Sequence, residues 1–179
     1  MVELKGQLTI QYLASFIFFI GLIVYIYFAY STNLPAFVEE ARKEDVRSKA
    51  FQLSEVLVND PGKPLNWDEV PLPENERLGL ADENSNKTNL ISLKKVKKLD
   101  DLCVNFDFEL IQKLLALDKP FSIHIFNISQ DSGKRNQLMA PCVSPDFPKT
   151  TINATIKRIT ALNNTETGEL ELAEIIVQM

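Results

Sequence analysis

The feature that most constrains this chain is an uncharged, almost wholly apolar run near its N-terminus. No Asp, Glu, Lys or Arg occurs in residues 8–38, and residues 12–30 are nearly all aliphatic or aromatic. About 20 such residues in a helix cross the hydrocarbon core of a bilayer, where each charged side chain would cost roughly 3 kcal/mol. The run therefore predicts a transmembrane helix. The alternative is a buried core helix, which would carry polar residues on part of its circumference.

The composition of the 179-residue chain narrows the classes of function. A net charge of -5 provides no general basic surface, so nucleic acid is not an expected partner. One histidine, two cysteines and six glycines leave little material for a metal site, a Cys–His pair or a nucleotide cradle. No HExxH, GxSxG or CxxC motif occurs. We therefore expect a protein that is not an enzyme, with no catalytic, cofactor-binding or metal-binding residues.

The segment before the apolar run is too short and too neutral to fix the orientation of the helix. It reads MVELKG, in which Glu3 and Lys5 cancel, so the basic excess that marks a cytoplasmic side is missing. A cleaved secretory signal is disfavoured, because its apolar core would span only about 7–15 residues and end at a small-x-small site. Orientation therefore depends on the rest of the chain.

Four N-x-S/T sequons suggest that the part after the apolar run is exported. Chance gives roughly one or two in a chain this rich in Asn, Ser and Thr, so Asn enrichment alone is the competing interpretation. The candidate glycosylation sites are Asn86, Asn127, Asn153 and Asn163.

Both cysteines, Cys103 and Cys142, lie in this same distal part. Disulfides form in oxidising compartments, and a bond between the two would stabilise the fold by about 4 kcal/mol. Two unrelated buried thiols are the alternative. Together with the sequons, the cysteines favour a single-pass membrane protein whose C-terminal domain lies outside the cell.

Lys5, Gly6 and Gln7 stand directly before the apolar run. This leader resembles the class III signal peptide of archaeal type IV pilin-like proteins. The resemblance implies that a prepilin peptidase cuts between Gly6 and Gln7. It also implies that the apolar helix packs against other pilin-like subunits in a surface filament, with the head exposed for adhesion or assembly.

The family pattern after the cut is Q-x-S-x-E. Gln7 matches it, Thr9 is a near match, and Gln11 stands where the family has Glu. In that family the Glu pairs with the new α-amino group of a neighbouring subunit, whereas Gln11 offers only a neutral hydrogen bond. This departure points to a minor subunit. It also leaves open a single-span extracytoplasmic module, archaellum stator-like or ligand-binding, that never joins a filament.

A second resemblance follows further along. The segments PGKPLNW at 61–67, RLGLA at 77–81 and NLISL at 89–93 are similar to a recurring block in archaeal pilin-like surface proteins. In those proteins an amphipathic helix precedes the block and another helix follows it. The combined resemblance covers residues 5–117.

Apolar residues at helical spacing continue from the apolar run to residue 59. We expect one helix of roughly 50 residues, about 75 Å long, in which Pro35 is the place for a kink or a restart. A membrane anchor followed by a separate amphipathic helix is the alternative. Favourable i,i+4 ion pairs are Glu39–Lys43 and Asp45–Lys49. The apolar positions are Val38, Ala41, Val46, Ala50, Leu53 and Leu57.

The proline-rich segment 61–76 predicts a loop that ends this helix. Trp67 in the loop is expected to cover the hydrophobic core while its N–H reaches a carbonyl. Stacking on a ligand is the alternative. Residues 77–81 predict a short strand.

Two further helices are expected, one at 93–99 capped by Ser92 and one at 106–117, with Cys103 in the link between them. The lysines of the first helix are predicted to form a solvated face, and a basic patch for an anionic lipid or polysaccharide is the alternative. These lysines are Lys94, Lys95, Lys97 and Lys98, and the apolar face of the second helix consists of Phe106, Leu110, Leu114 and Leu117.

Alternating apolar residues at 121–128 predict a strand. Phe121, Ile123 and Ile125 would share its buried face, with His124 and Phe126 on the other. We expect His124 to be partly exposed rather than a metal ligand.

Two further alternating segments, 151–161 and 169–178, predict a terminal hairpin. The expected fold is α+β, in which a long N-terminal transmembrane and amphipathic helix packs against a small antiparallel β-sheet head with two short helices. The expected divisions are a leader at 1–6, the helix at 7–60 and an extracytoplasmic head at 61–179.

Overall fold

The computed structural model describes residues 3–70, 77–83, 88–105, 108–128, 134–148, 154–165 and 167–179, with side chains from residue 10 onwards. Within these residues the chain forms helices and strands in an α+β arrangement, as predicted. The helices are α1 (Glu3–Asn59), α2 (Leu93–Val104) and α3 (Phe108–Leu114). The strands are β1 (Leu90–Ser92), β2 (Ser122–Ile128), β3 (Arg135–Gln137), β4 (Cys142–Val143), β5 (Thr155–Asn164) and β6 (Glu169–Gln178).

Helix α1 runs without a break through Pro35, so the single long helix is confirmed and the chain does not restart there. The polar side chains just before the proline bond to the preceding turn. Thr32 Oγ1 donates to the carbonyl of Phe28 and Asn33 Nδ2 to that of Ala29, each at 2.8 Å. These bonds satisfy polar groups locally, as Ser, Thr and Asn often do inside helices.

The chain divides into two compact units, Met1–Lys43 and Glu44–Met179. The division falls inside α1, because the last turns of α1 supply part of the core of the second unit. Val38, in the first unit, is 47% exposed. The predicted core positions of α1 that are buried are Val46, Ala50, Leu53 and Leu57.

The second unit contains one mixed sheet with the strand order β1-β5-β6-β2-β3, and β4 also pairs with β2. Strands β5 and β6 form the predicted terminal hairpin, in register from Thr155↔Gln178 to Asn164↔Glu169. Strand β1 is parallel to β5, so the expectation of a purely antiparallel sheet is wrong at this edge. A parallel neighbour needs a long crossover connection, and such a connection leaves no local pattern in the sequence.

The two faces of β2 have the predicted characters. Ile123 and Ile125 are fully buried, as is Phe121 just before the strand. The rings of His124 and Phe126 stack on the opposite face, with centroids 6.3 Å apart, and both residues are half-buried. The neighbouring strand β6 buries Ala173, Ile175 and Val177 on the same face as Ile123 and Ile125.

Helices α2 and α3 differ from the expected ones in length and in their buried faces. Cys103 lies inside α2, not in a link, because the buried stripe of that helix continues past Leu99 to Leu102. Ser92 is at the N-cap position, but its side chain makes no capping hydrogen bond. Helix α3 buries Phe108, Ile111 and Leu114, whereas Leu110 and Leu117 are only partly buried and Phe106 lies outside the described residues.

The segment predicted as a strand at 77–81 makes only two isolated bridges, Lys63↔Arg77 and Ala81↔Ile91. Strands β3 and β4 occupy segments for which the sequence analysis predicts no strand. All three are short, and pairing with β2 rather than residue pattern defines β3 and β4.

Candidate functional site

The first unit presents an exposed apolar surface along α1. One helix, described over Ile10–Asn59, is long and apolar enough to cross a membrane, and its most apolar window is wholly unburied. In water such a surface would be unfavourable at roughly 25 cal/mol per Å², so it requires lipid or other apolar helices around it. Large exposed members include Ile10, Phe16, Phe18, Phe19, Leu22 and Ile26.

Exposed tyrosines lie toward both ends of the apolar run, Tyr12 near its start and Tyr25, Tyr27 and Tyr30 near its end. Tyr12 is 75% exposed and Tyr30 69%, and 18 residues of helix separate them by about 27 Å at 1.5 Å per residue. Tyrosine is enriched at the two membrane–water interfaces, and this spacing is close to the thickness of the hydrocarbon core, about 30 Å. The spacing of these rings therefore matches a single membrane crossing.

The predicted processing site lies at the start of α1. The backbone of Lys5, Gly6, Gln7 and Thr9 belongs to the helix, and their side chains are outside the description. Gln11 is exposed on the helix surface. Cleavage between Gly6 and Gln7 therefore stays a prediction from the sequence.

Cys103 and Cys142 form a disulfide that ties α2 to β4, with their Cα atoms 5.3 Å apart. Cys103 is 4% exposed and Cys142 is fully buried. The candidate disulfide is thus present, and the alternative of two unrelated thiols is wrong. The bond fixes β4 to α2. In the described structure the strand pairing of β4 consists of two residues on β2.

The described sequons lie on strands rather than on loops. Asn127 is in β2 and its side-chain amide donates to Glu171, while Asn163 in β5 donates to Asp82. In both residues the donating Nδ2 is the atom that would carry a glycan, so modification requires that the bond be released or not yet formed. Asn86 and Asn153 lie outside the described residues.

Trp67 is the centre of the proline-rich block. Its ring is fully buried, and its Nε1–H donates to the carbonyl of Gly79 at 2.8 Å, as predicted. Gly62, with φ +84°, packs directly on the ring, and a Cβ on Gly79 would lie 2.0 Å from the carbonyl oxygen of Asp60. A buried ring has no free face for a ligand, so the stacking alternative is wrong and the block is structural.

Lys95 was expected on a solvated face but is buried, with 2% exposure. Its ammonium donates to the carbonyls of Pro61 at 2.8 Å and Ala81 at 3.1 Å, and Glu83 lies 3.8 Å away. Desolvation lowers the pKa of Lys95, and the charge of Glu83 partly opposes this. The spacing to buried Leu99 was the sequence signal that places Lys95 on the inner face.

In the part of the chain that the structure describes, no three His, Cys, Asp or Glu residues are grouped so as to hold a metal ion. His124 Nε2 lies 2.8 Å from Ser122 Oγ. That hydroxyl belongs to a residue with 1% exposure, so it is closed to a substrate. Burial also lowers the pKa of His124, which keeps the ring neutral near pH 7.

Comparison with protein-family models, with curated proteins and with solved structures finds no match to this chain. Its function is therefore inferred from the residues and the geometry above.

Proposed function

We propose that this chain is a type IV pilin-like protein, a minor subunit that a prepilin peptidase cuts between Gly6 and Gln7. Its apolar N-terminal helix then packs against other pilin-like subunits in a surface filament. The head, residues 61–179, faces the outside of the cell for adhesion or for starting assembly. The protein has no catalytic role in this account.

The observation that carries the proposal is the continuity of α1. One helix bears the K-G-Q leader, an exposed apolar surface, and then Ala50 and Leu53, which lie in the core that the helix shares with the head. Moving such a helix from lipid into a bundle of like helices keeps its surface in an apolar environment. The head need not unfold, because its core residues lie beyond the exposed segment.

Export of the head is supported by the buried disulfide between Cys103 and Cys142. Such bonds persist in extracytoplasmic compartments and are rare in the cytosol. The tyrosines spaced for one membrane crossing support a single-pass precursor.

The proposal is tested by shearing surface filaments from cells and assaying the sheared and membrane fractions for this protein. We expect the sheared fraction to contain a form that begins at Gln7. A Gly6→Val variant is the matched control, since it changes the residue before the cut and should stay in the membrane with its leader. Wild-type protein confined to the membrane fraction would contradict filament assembly.

Gln11 favours a second candidate function. In a filament subunit of this family a Glu is expected at that position, and the amide of Gln11 carries no charge to pair with an α-amino group. The alternative is a membrane-anchored extracytoplasmic module, archaellum stator-like or ligand-binding, that retains its leader and stays in the bilayer. The same fractionation distinguishes the two.

A further inference from the structure

We propose that the free edge of β5 binds an extended acidic segment of a partner protein, which joins the sheet as an additional strand. This inference does not depend on the proposed function, because the edge belongs to the folded head in either setting.

Among the residues that the structure describes, no strand covers the first half of this edge, because β1 is short. Strand β1 pairs only with residues 161–163 of β5, whereas β6 pairs with β5 along its whole length. Among the described residues, the first half of β5 therefore has a strand on one side and none on the other. Exposed strand edges are the sites at which extended peptides add to sheets.

Every second residue of this half-strand directs its backbone N–H and C=O groups away from β6 and toward the open edge. Ala154 and Met179 exchange N–H···O bonds of 2.9 and 3.0 Å, and antiparallel pairing alternates along the strand. Even-numbered residues of β5 therefore bond to β6. The N–H and C=O groups of Thr155, Lys157 and Ile159 face the edge.

The same parity is visible at the occupied end of β5. The N–H of Ala161 donates to the carbonyl of Asn89 at 2.9 Å, on the β1 side. The N–H and C=O groups that face the edge in the first half of β5 are therefore on the same side of the strand as the N–H of Ala161, which bonds to the β1 segment.

Exposed apolar side chains flank the edge on both faces of the sheet. Ile159 is 68% exposed on the face away from α1. Phe51 of α1 is 50% exposed on the other face, where the Arg158 guanidinium lies 4.8 Å from its ring centroid. The side chains of an added strand alternate between faces, so apolar residues on it would contact both Ile159 and Phe51.

The positive charge of Lys157 favours an acidic segment as the strand that binds this edge. Lys157 is exposed at the centre of the edge, whereas Arg158 is bonded to Ser54 and Glu55 of α1. Two copies joined edge to edge would bring their basic residues together, and a lysine on an edge strand is a known protection against such pairing. A partner strand with a carboxylate opposite Lys157 gains a favourable cross-strand pair instead.

The test uses the full-length protein in detergent micelles and a fluorescent peptide, acetyl-Thr-Val-Val-Glu-Val-Thr-amide. We expect saturable binding, with hydrogen-exchange protection at the amides of Thr155, Lys157 and Ile159. Lys157→Glu should weaken binding about tenfold and favour the same peptide with Lys in place of Glu, because it inverts the cross-strand pair.

A proline at residue 159 gives the sharpest variant. Ile159→Pro removes an N–H that faces the edge and not β6, so the hairpin ladder is kept while peptide binding should be lost. Gln137→Pro, on the exposed strand β3, is the matched control and should bind normally. Thermal unfolding followed by the fluorescence of Trp67 checks that each variant is folded, and Lys157→Glu tests the site if a proline variant is not.

Three outcomes would overturn the proposal. They are absence of saturable binding at about millimolar peptide, protection of β3 instead of β5, and dimerisation of the protein that Ile159→Pro abolishes. The last would identify a second copy as the occupant.

Discussion

The indole N–H of Trp67 donates a 2.8 Å hydrogen bond to the backbone carbonyl of Gly79, and neither the ring nor the bond is open to solvent. This contact joins the loop after α1 to the segment that leads toward β1. Around it, Arg77 pairs with Asp60 at 2.8 Å. These two contacts form a clasp, which holds the end of α1 and the loop after it against residues 77–79.

Trp67→Phe tests this clasp. Phe lacks the pyrrole part of the indole, so the buried carbonyl of Gly79 loses its donor and the space beside Gly62 is left unfilled. The free energy of unfolding should therefore fall by about 2 kcal/mol or more. Denaturant unfolding followed by circular dichroism measures it. Leu65→Ala, at a residue in the same loop that is 58% exposed, should change stability by less than about 0.5 kcal/mol. Equal effects of the two variants would contradict the clasp.

Replacement of both cysteines by serine should lower the free energy of unfolding by about 4 kcal/mol, from the loop that the bond closes. The wild-type protein under reductant should approach the same value. Alkylation before reduction should label neither Cys103 nor Cys142 in protein isolated from cells. Full labelling would show that the bond does not form there.

Lys95→Met keeps the apolar stem and removes the ammonium, leaving the carbonyls of Pro61 and Ala81 without this donor. We expect a loss of roughly 1–3 kcal/mol in unfolding free energy. Lys94→Met, at the exposed neighbouring position, is the control and should be nearly neutral. If the Lys95 variant is as stable as its control, the ammonium does not stabilise the head.

His124 predicts a pH dependence, since it is the only histidine in the chain. Its pKa in the folded state is lowered by burial, so the unfolded state binds a proton first as pH falls below about 6.5. Stability is therefore full above that pH and decreases as pH falls through the lowered pKa. Unfolding midpoints measured above and below about pH 6.5 should show the decrease, and His124→Gln should remove it. A decrease that persists in the variant would assign it to other groups.

Residue pattern was sufficient where a single side chain or a local period decides the structure. The length of α1, the hairpin of β5 and β6, and the alternation in β2 follow from such periods. Burial of Trp67 follows from the size of its ring and the loop that holds it. The disulfide was predictable because the chain contains two cysteines, so each has one possible partner within it.

The errors have a different origin, in contacts between distant segments. Strand β1 pairs with residues of β5 about 70 positions away in the sequence. It has only three residues, too few for an alternating pattern to predict a strand. Lys95 was misplaced because its charge outweighed its helical spacing, although two backbone carbonyls were available to it inside. The free edge of β5 likewise depends on how far β1 extends, which is a property of the assembled sheet.

The most direct test of the central claim is the mass of the N-terminal peptide of the protein taken from membranes and from sheared filaments. Processing by a prepilin peptidase predicts that the mature chain begins at Gln7, after Gly6. A chain that still begins at Met1 or Val2 in both fractions would contradict processing, and with it assembly as a pilin-like subunit.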